Sequence, residues 1–332
     1  MTQINSHARP LSIWLFGCAF MVFAMAVIGA VTRLTESGLS IAEWKPLIGA
    51  LPPLNETEWE RVFALYKNTP EFQVKNSWMG LSDFKTIFFW EWFHRLWGRL
   101  IGIVFALPMI WFWVRKKIPS GYKSKFLLAL GLGGLQGVLG WYMVKSGLVD
   151  NPAVSHFRLA AHLSLALLIY TVLLWLAFDL WSAQQTGGSF CLKRHGWITL
   201  AFVATTIIWG AFTAGLDGGM VYNTWPKMNT YWVPPEVTGL HSLLWDPAAV
   251  QFSHRWIAVL TACVVLSFAW RIKSIWLALA VFVQVGLGIT TVLTQAHIHV
   301  AATHQAGAMI VLGLMIFYLH RLGLHNSHSG QR

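Results

Sequence analysis

Four of the thirteen histidines, His94, His162, His254 and His304, lie inside or at the edge of long apolar runs. Neutral imidazole binds haem iron, copper or zinc well, and an ionisable side chain within a greasy run is costly enough to imply a function. Simple hydrogen bonding between helices would account for any one of them, but not for all four at matching positions. Zinc or copper would need further ligands. The three cysteines, Cys18, Cys191 and Cys263, form no CxxC or Cys/His cluster, and no carboxylate completes a set around His254 and His304. Two imidazoles from facing helices can instead grip a flat iron porphyrin between them. His94 with His162 makes one such pair, and His254 with His304 a second. Gly98, Gly102, Gly137 and Gly140 serve either close approach of a macrocycle or close helix packing. Arg95 and Arg255 directly follow two of the histidines, and Arg158 precedes a third by one turn. Arginine there either binds porphyrin propionates bidentately or snorkels to lipid headgroups.

The two pairs differ at one position. Glu91-Trp92-Phe93-His94 becomes Gln251-Phe252-Ser253-His254. Residues i and i+3 share a helix face, so Glu91 lies on the side of His94. A carboxylate there can handle protons or stabilise a developing cation, and an amide can do neither. The expectation is that the first pair holds a reacting haem and the second a permanent one. The structural alternative for Glu91 is an ion pair with Arg95, one turn on. His156, His241, His297 and His299 fall in or beside loops and suit packing or surface roles, and His7, His195, His320, His325 and His328 lie in basic loops or at the termini.

These residues must be held by membrane-spanning helices. Hydrophobic residues make up 56% of the 332, charged residues only 11%, and mean hydropathy is +0.54; soluble domains carry roughly 25% charged residues. Eight runs are long enough to span a bilayer: about 12–31, 90–114, 126–144, 157–180, 197–216, 252–270, 275–294 and 302–320. The net charge of +11 sits largely in alternate short loops (Arg115, Lys116, Lys117, Lys123 and Lys125; Lys193 and Arg194; Arg271 and Lys273) and at Arg321 after the last run. That is the distribution of a membrane topology rather than of a nucleic-acid surface, and it places both termini in the cytoplasm and the four histidines near the outer face. The first run lacks the features of a cleavable signal peptide.

Landmarks recur in order. Gly29-Ala30-Val31-Thr32, Trp44-Lys45-Pro46 and Pro52-Pro53 are followed by Gly210-Ala211-Phe212-Thr213, Trp225-Pro226 and Pro234-Pro235; Leu135-Gln136 and Leu139-Gly140 match Val283-Gln284 and Leu287-Gly288. The expected fold is an all-α integral membrane protein of eight transmembrane helices, arranged as two pseudo-symmetric four-helix bundles in a parallel repeat. The halves are 1–186 and 187–332.

Thr32-Arg33-Leu34-Thr35-Glu36-Ser37-Gly38-Leu39-Ser40, Glu43-Trp44-Lys45-Pro46, Glu91-Trp92-Phe93-His94-Arg95-Leu96-Trp97-Gly98-Arg99, Arg158-Leu159-Ala160-Ala161-His162-Leu163, Gln251-Phe252-Ser253-His254-Arg255 and His304-Gln305 together resemble the haem A synthase family over about residues 12–320. The resemblance implies oxidation of the C8 methyl of haem O to a formyl group, through successive hydroxylations, to give haem A for terminal oxidases. It implies a haem b on His254 and His304, and a substrate site of Glu91, His94 and His162. Some members carry a cysteine pair in outer loops; this sequence has none there and is similar to the proteobacterial and mitochondrial branch. Implied partners are haem O, an external electron donor, haem O synthase and oxidase assembly factors, with a homo-oligomer compatible and nucleic acid excluded. The implied location is the bacterial inner membrane. A non-catalytic di-haem cytochrome b that relays electrons is the alternative, and the Glu91/Gln251 asymmetry weighs against it. A haem transporter or chaperone also fits histidines near one face.

Overall fold

In the computed structural model, residues 8–43, 51–147, 154–181 and 187–323 are described. Trp44-Lys45-Pro46, the 186/187 boundary and His7, His325 and His328 lie outside them. Among the described residues there is no strand, only an isolated bridge between Met228 and Tyr231. Ten α-helices follow in order: α1 (Ala8–Leu34), α2 (Glu56–Lys67), α3 (Leu81–Val114), α4 (Lys123–Gly147), α5 (His156–Leu180), α6 (Phe190–Gly215), α7 (Ser242–Trp245), α8 (Pro247–Arg271), α9 (Ile275–Leu293) and α10 (Ile298–Leu322). All but α2 and α7 are long and apolar enough to cross a membrane, so the chain is an integral, multi-pass membrane protein.

Each of the eight expected runs has its helix. The clearest difference is at α3, which starts at Leu81 rather than near 90. Its added first turns carry Asp83 and Lys85 and so fall below a hydropathy threshold. They are nevertheless helical, because Phe84, Ile87 and Phe88 pack against Phe63 and Tyr66 of the amphipathic α2. Asn55 caps α2 by accepting from Glu58 N–H. The described residues 51–80 before α3 therefore form a small packed layer at the end of the bundle.

The helices α1, α5, α6 and α10 pack against one another in the middle of the molecule; α3 and α4 flank α1 and α5, while α8 and α9 flank α6 and α10. Burial follows this arrangement: 44% of the apolar window of α5 is buried inside the protein, against 6% for α4. Polar side chains tie neighbours together by giving their protons to backbone carbonyls. Trp14 and Trp97 of or facing α1 and α3 donate to Val104 and Met21, Ser12 to Ala177, and Gln305 of α10 to Ala26 of α1. In a medium without water such bonds carry specificity. Gly215 lets α6 approach α5 closely; a Cβ there would lie 2.8 Å from the His156 backbone.

Candidate functional site

Each of the four histidines emerges from its helix near the end of the bundle that carries the long segments, and each ring is laid against a glycine of a neighbouring helix. An added Cβ at Gly140 would stand 3.0 Å from His162, at Gly288 3.0 Å from His304, at Gly210 3.1 Å from His254, and at Gly29 3.4 Å from His94. A methyl at Gly140, Gly288 or Gly210 would press on its imidazole, whereas at Gly29 it would meet His94 at ordinary van der Waals distance. His162, His254 and His304 all present the Cε1 edge to their glycine, whereas His94 presents Nε2. The first pair is thus not a strict copy of the second.

Two glutamines complete the cradles. Gln136 donates through Nε2 to the His162 carbonyl at 3.0 Å and lies 3.2 Å from the ring Nε2; Gln284 donates to the His304 carbonyl at 3.0 Å and lies 3.2 Å from Nδ1. Each glutamine stands four residues before the glycine of its own helix, so the pair shares one face. The recurrence of Gln136-Gly140 and Gln284-Gly288 was visible in the sequence; their function of orienting an imidazole was not, because it depends on which helix lies opposite.

His94 lies within electrostatic reach of His162, and His254 of His304. All four are half-buried rather than sealed, so each borders accessible space within the helical assembly. His254 Nδ1 is buried without a hydrogen-bond partner. No group of three or more His, Cys, Asp or Glu gathers among the described residues. Paired imidazoles, glycine cradles just wide enough for the rings and an apolar surround fit a bis-histidine haem better than a tetrahedral metal centre.

Glu91 is buried and fully engaged. Its Oε1 accepts from Arg95, and its Oε2 accepts from Ser40 Oγ and Ile41 N–H, each at 2.7 Å. The ion pair weighed as the structural alternative is therefore present, and it pins the segment after α1 over the first site. Gln251 and Arg255 perform the same task in the second half. Gln251 Nε2 donates to the Tyr222 carbonyl at 2.9 Å, while Arg255 donates to Tyr222 at 2.6 Å and to Thr224 at 2.8 Å. Asp246 caps α8 through Ala248 and Ala249, with Pro247 in the first turn, and so fixes the register of Gln251 and His254.

Beyond reading Arg95 and Arg255 as propionate anchors or snorkelling side chains, the sequence offered no hint of their contacts to the backbone of the long segments, since the acceptors are carbonyls. His156 has the packing role expected of it. It is buried at the start of α5, its Nε2 lies 2.8 Å from the Leu244 carbonyl, and it holds α7 against the bundle. His241, His297 and His299 are exposed.

Comparison with known proteins matches residues 12–316 to a family described as cytochrome oxidase assembly protein, COX15-CtaA. A relative in Rhodospirillum centenum named Heme A synthase is 49% identical over 96% of this chain and 90% of its own length. Proteins of the same name in Parvibaculum lavamentivorans (43% identical, 97% and 96%) and Caulobacter vibrioides (43%, 96% and 97%) are similarly matched.

Proposed function

The chain belongs to the COX15-CtaA family of cytochrome oxidase assembly proteins, and from that premise we infer that it is a haem A synthase, an oxidoreductase that converts haem O to haem A. The observation that carries the reading is an asymmetry between two otherwise matching cradles. Both hold a histidine pair against glycines and a glutamine, but only the first has a carboxylate one turn from its histidine.

In this reading the halves 1–186 and 187–332 are pseudo-symmetric four-helix bundles. His254 and His304 hold a haem b, which when bound relays electrons to the first half. His94 and His162 take the iron of the substrate, haem O, and Glu91 stands beside the methyl group to be oxidised. The carboxylate is clamped by Ser40, Ile41 and Arg95, which suits a fixed negative charge facing a developing cation. Arg95 positions Glu91, and Arg255 positions the second outer segment; both bring positive charge to the end where propionates would lie. The histidine end faces outward from the inner membrane, with both termini in the cytoplasm. Electrons come from a donor outside the chain, haem O from its synthase, and the product passes to oxidase assembly factors, with self-association compatible.

Expression of the chain in cells that make haem O but not haem A tests the activity. Acid-acetone extracts should acquire haem A. Extracts containing haem O alone, from membranes in which the protein carries haem, would instead favour an electron-relaying cytochrome b.

A further inference from the structure

The first half contains a cavity whose lining differs from the equivalent positions of the second half. The cavity measures about 80 Å³ and is walled almost wholly by apolar atoms of α1, α3, α4 and α5, among them Cys18, Ile101, Ala129, Gly133, Gly134 and Ile169. Its position follows from the helix registers. Ile101 is seven residues beyond His94, Ile169 seven beyond His162, and Gly133 seven before Gly140. Seven residues are about two turns, or about 10 Å. The cavity therefore lies on the bundle axis directly beneath the first histidine pair, on the side away from the long segments. Gly133 and Gly134 are exposed, so it opens toward lipid between α3 and α4.

The same displacement in the second half leads to filled space. Seven residues before Gly288 stands Val281 rather than glycine, and eleven before it Leu277 rather than Ala129; both are buried, at 4% and 0% exposure. Thr261, seven beyond His254, is likewise buried and shares a 2.7 Å hydrogen bond with Thr206. Two small residues of α4, Ala129 and Gly133, thus correspond to two larger, branched and buried ones in α9.

The two porphyrins assigned to these halves differ in the matching way. Haem O carries a hydroxyethylfarnesyl chain on the edge of the ring remote from the propionates, where haem b carries a small vinyl group. With propionates toward the long segments, that chain points down the bundle axis. We propose that the cavity beneath His94 and His162 receives the first isoprene units of the haem O tail, and that Gly133 and Ala129 are the residues by which the first half selects haem O over haem b. This rests on the synthase reading. A space of this size takes about five to eight heavy atoms, one or two isoprene units. The remainder of the chain leaves between α3 and α4 into lipid, which also supplies the route of access. Because the tail otherwise lies in lipid, the preference comes from close packing of its first units against α1, α3, α4 and α5, and from the absence of room for them in a filled site, rather than from burial out of water.

The test copies the second half into the first. An added Cβ at Gly133 meets nothing within 4 Å, so Gly133→Val combined with Ala129→Leu should fold. Purified protein carrying its second-half haem is titrated with haem O and, separately, with haem b, and binding at the first site is followed by absorbance. The wild type should prefer haem O by about tenfold or more; in the variant the two affinities should come within about twofold, with haem b binding unchanged and haem A formation down by about tenfold. Gly131→Val, on the same helix outside the cavity and equally open, should leave the preference intact. A variant that keeps the wild-type preference, or loses both porphyrins in parallel, would overturn the proposal. A wild-type chain that prefers haem O yet yields no haem A would instead refute the synthase reading while leaving the tail site standing.

Discussion

Glu91 joins a structural duty to a chemical one, and the two can be separated. In Glu91→Gln, the amide oxygen can still accept from Ser40 or Ile41, but the charge facing Arg95 and the substrate is lost. Gln251 shows that an amide serves the pinning task in the second half. The variant should keep wild-type haem content and lose about 100-fold or more of haem A formation; haem-replete protein with full turnover would remove Glu91 from the chemistry. A second carboxyl, Glu71, was not singled out by its sequence context, because only folding buries it. It lies between α2 and α3, accepts from Tyr66 Oη at 3.0 Å, and has Glu91, Glu36 and Lys75 as charged neighbours. Burial outweighs the Tyr66 hydrogen bond and raises its pKa from 4.5 to about 7. A raised acid favours the folded layer fully below the unfolded value and loses that contribution as pH climbs through the folded one. Protection of α2 amides from hydrogen exchange, corrected for intrinsic rates, should therefore weaken between pH 5 and 8, by a span of roughly 3 kcal/mol at most. Glu71→Gln should flatten the dependence; an unaltered slope would show that another group sets it.

At the scale of the helix, propensity and packing make opposite demands on the cradle glycines, and packing decides. Alanine in place of a mid-helix glycine ordinarily gains about 0.5–1 kcal/mol. In Gly288→Ala the new methyl would stand 3.0 Å from His304 Cε1, so the ring must move off its line to the partner histidine. The expected outcome is a protein at least as helical by circular dichroism with several-fold less bound haem in its visible spectrum. Unchanged haem content would mean that the cradle has slack. The eight spans and the four histidines could be read from the sequence because hydrophobic length and intramembrane polarity are local properties. The first turns of α3 could not, since their helicity depends on Phe84 and Phe88 finding α2. Nor could the tasks of Gln136 and Gln284, or the particular carbonyl that His156 meets, since these partners lie at least twenty residues away and are set by how helices meet. The cavity was hidden for the same reason: Gly133 and Val281 differ by three carbon atoms, and the difference acquires meaning only beneath a particular pair of rings.

Across the whole molecule, charge and architecture divide the protein into two ends. The end with α2, the 216–246 segment and the four cradles is tied across its two halves by Arg33, which reaches Asp217 at 2.8 Å and the Ala214 carbonyl at 2.9 Å. The opposite end carries Arg115, Lys116, Lys117, Lys193, Arg194, Arg271 and Lys273, and is joined across the middle by His320 and Asp179, 2.8 Å apart. In the orientation proposed above, the basic loops stay in the cytoplasm and the cradles lie on the outer side. That orientation governs the chemistry proposed above: propionates gain an aqueous edge, while the tail points toward the bilayer interior. It can be checked without any haem. In a background with Cys191 and Cys263 replaced by serine, Val74→Cys, on a residue 72% exposed in the packed layer before α3, should react with a membrane-impermeant maleimide on intact spheroplasts. Lys116→Cys, at the opposite end, should react only after permeabilisation. The reverse pattern would turn the molecule over, placing both histidine pairs and the propionate edge at the cytoplasmic face, and the electron donor would then have to be sought on that side.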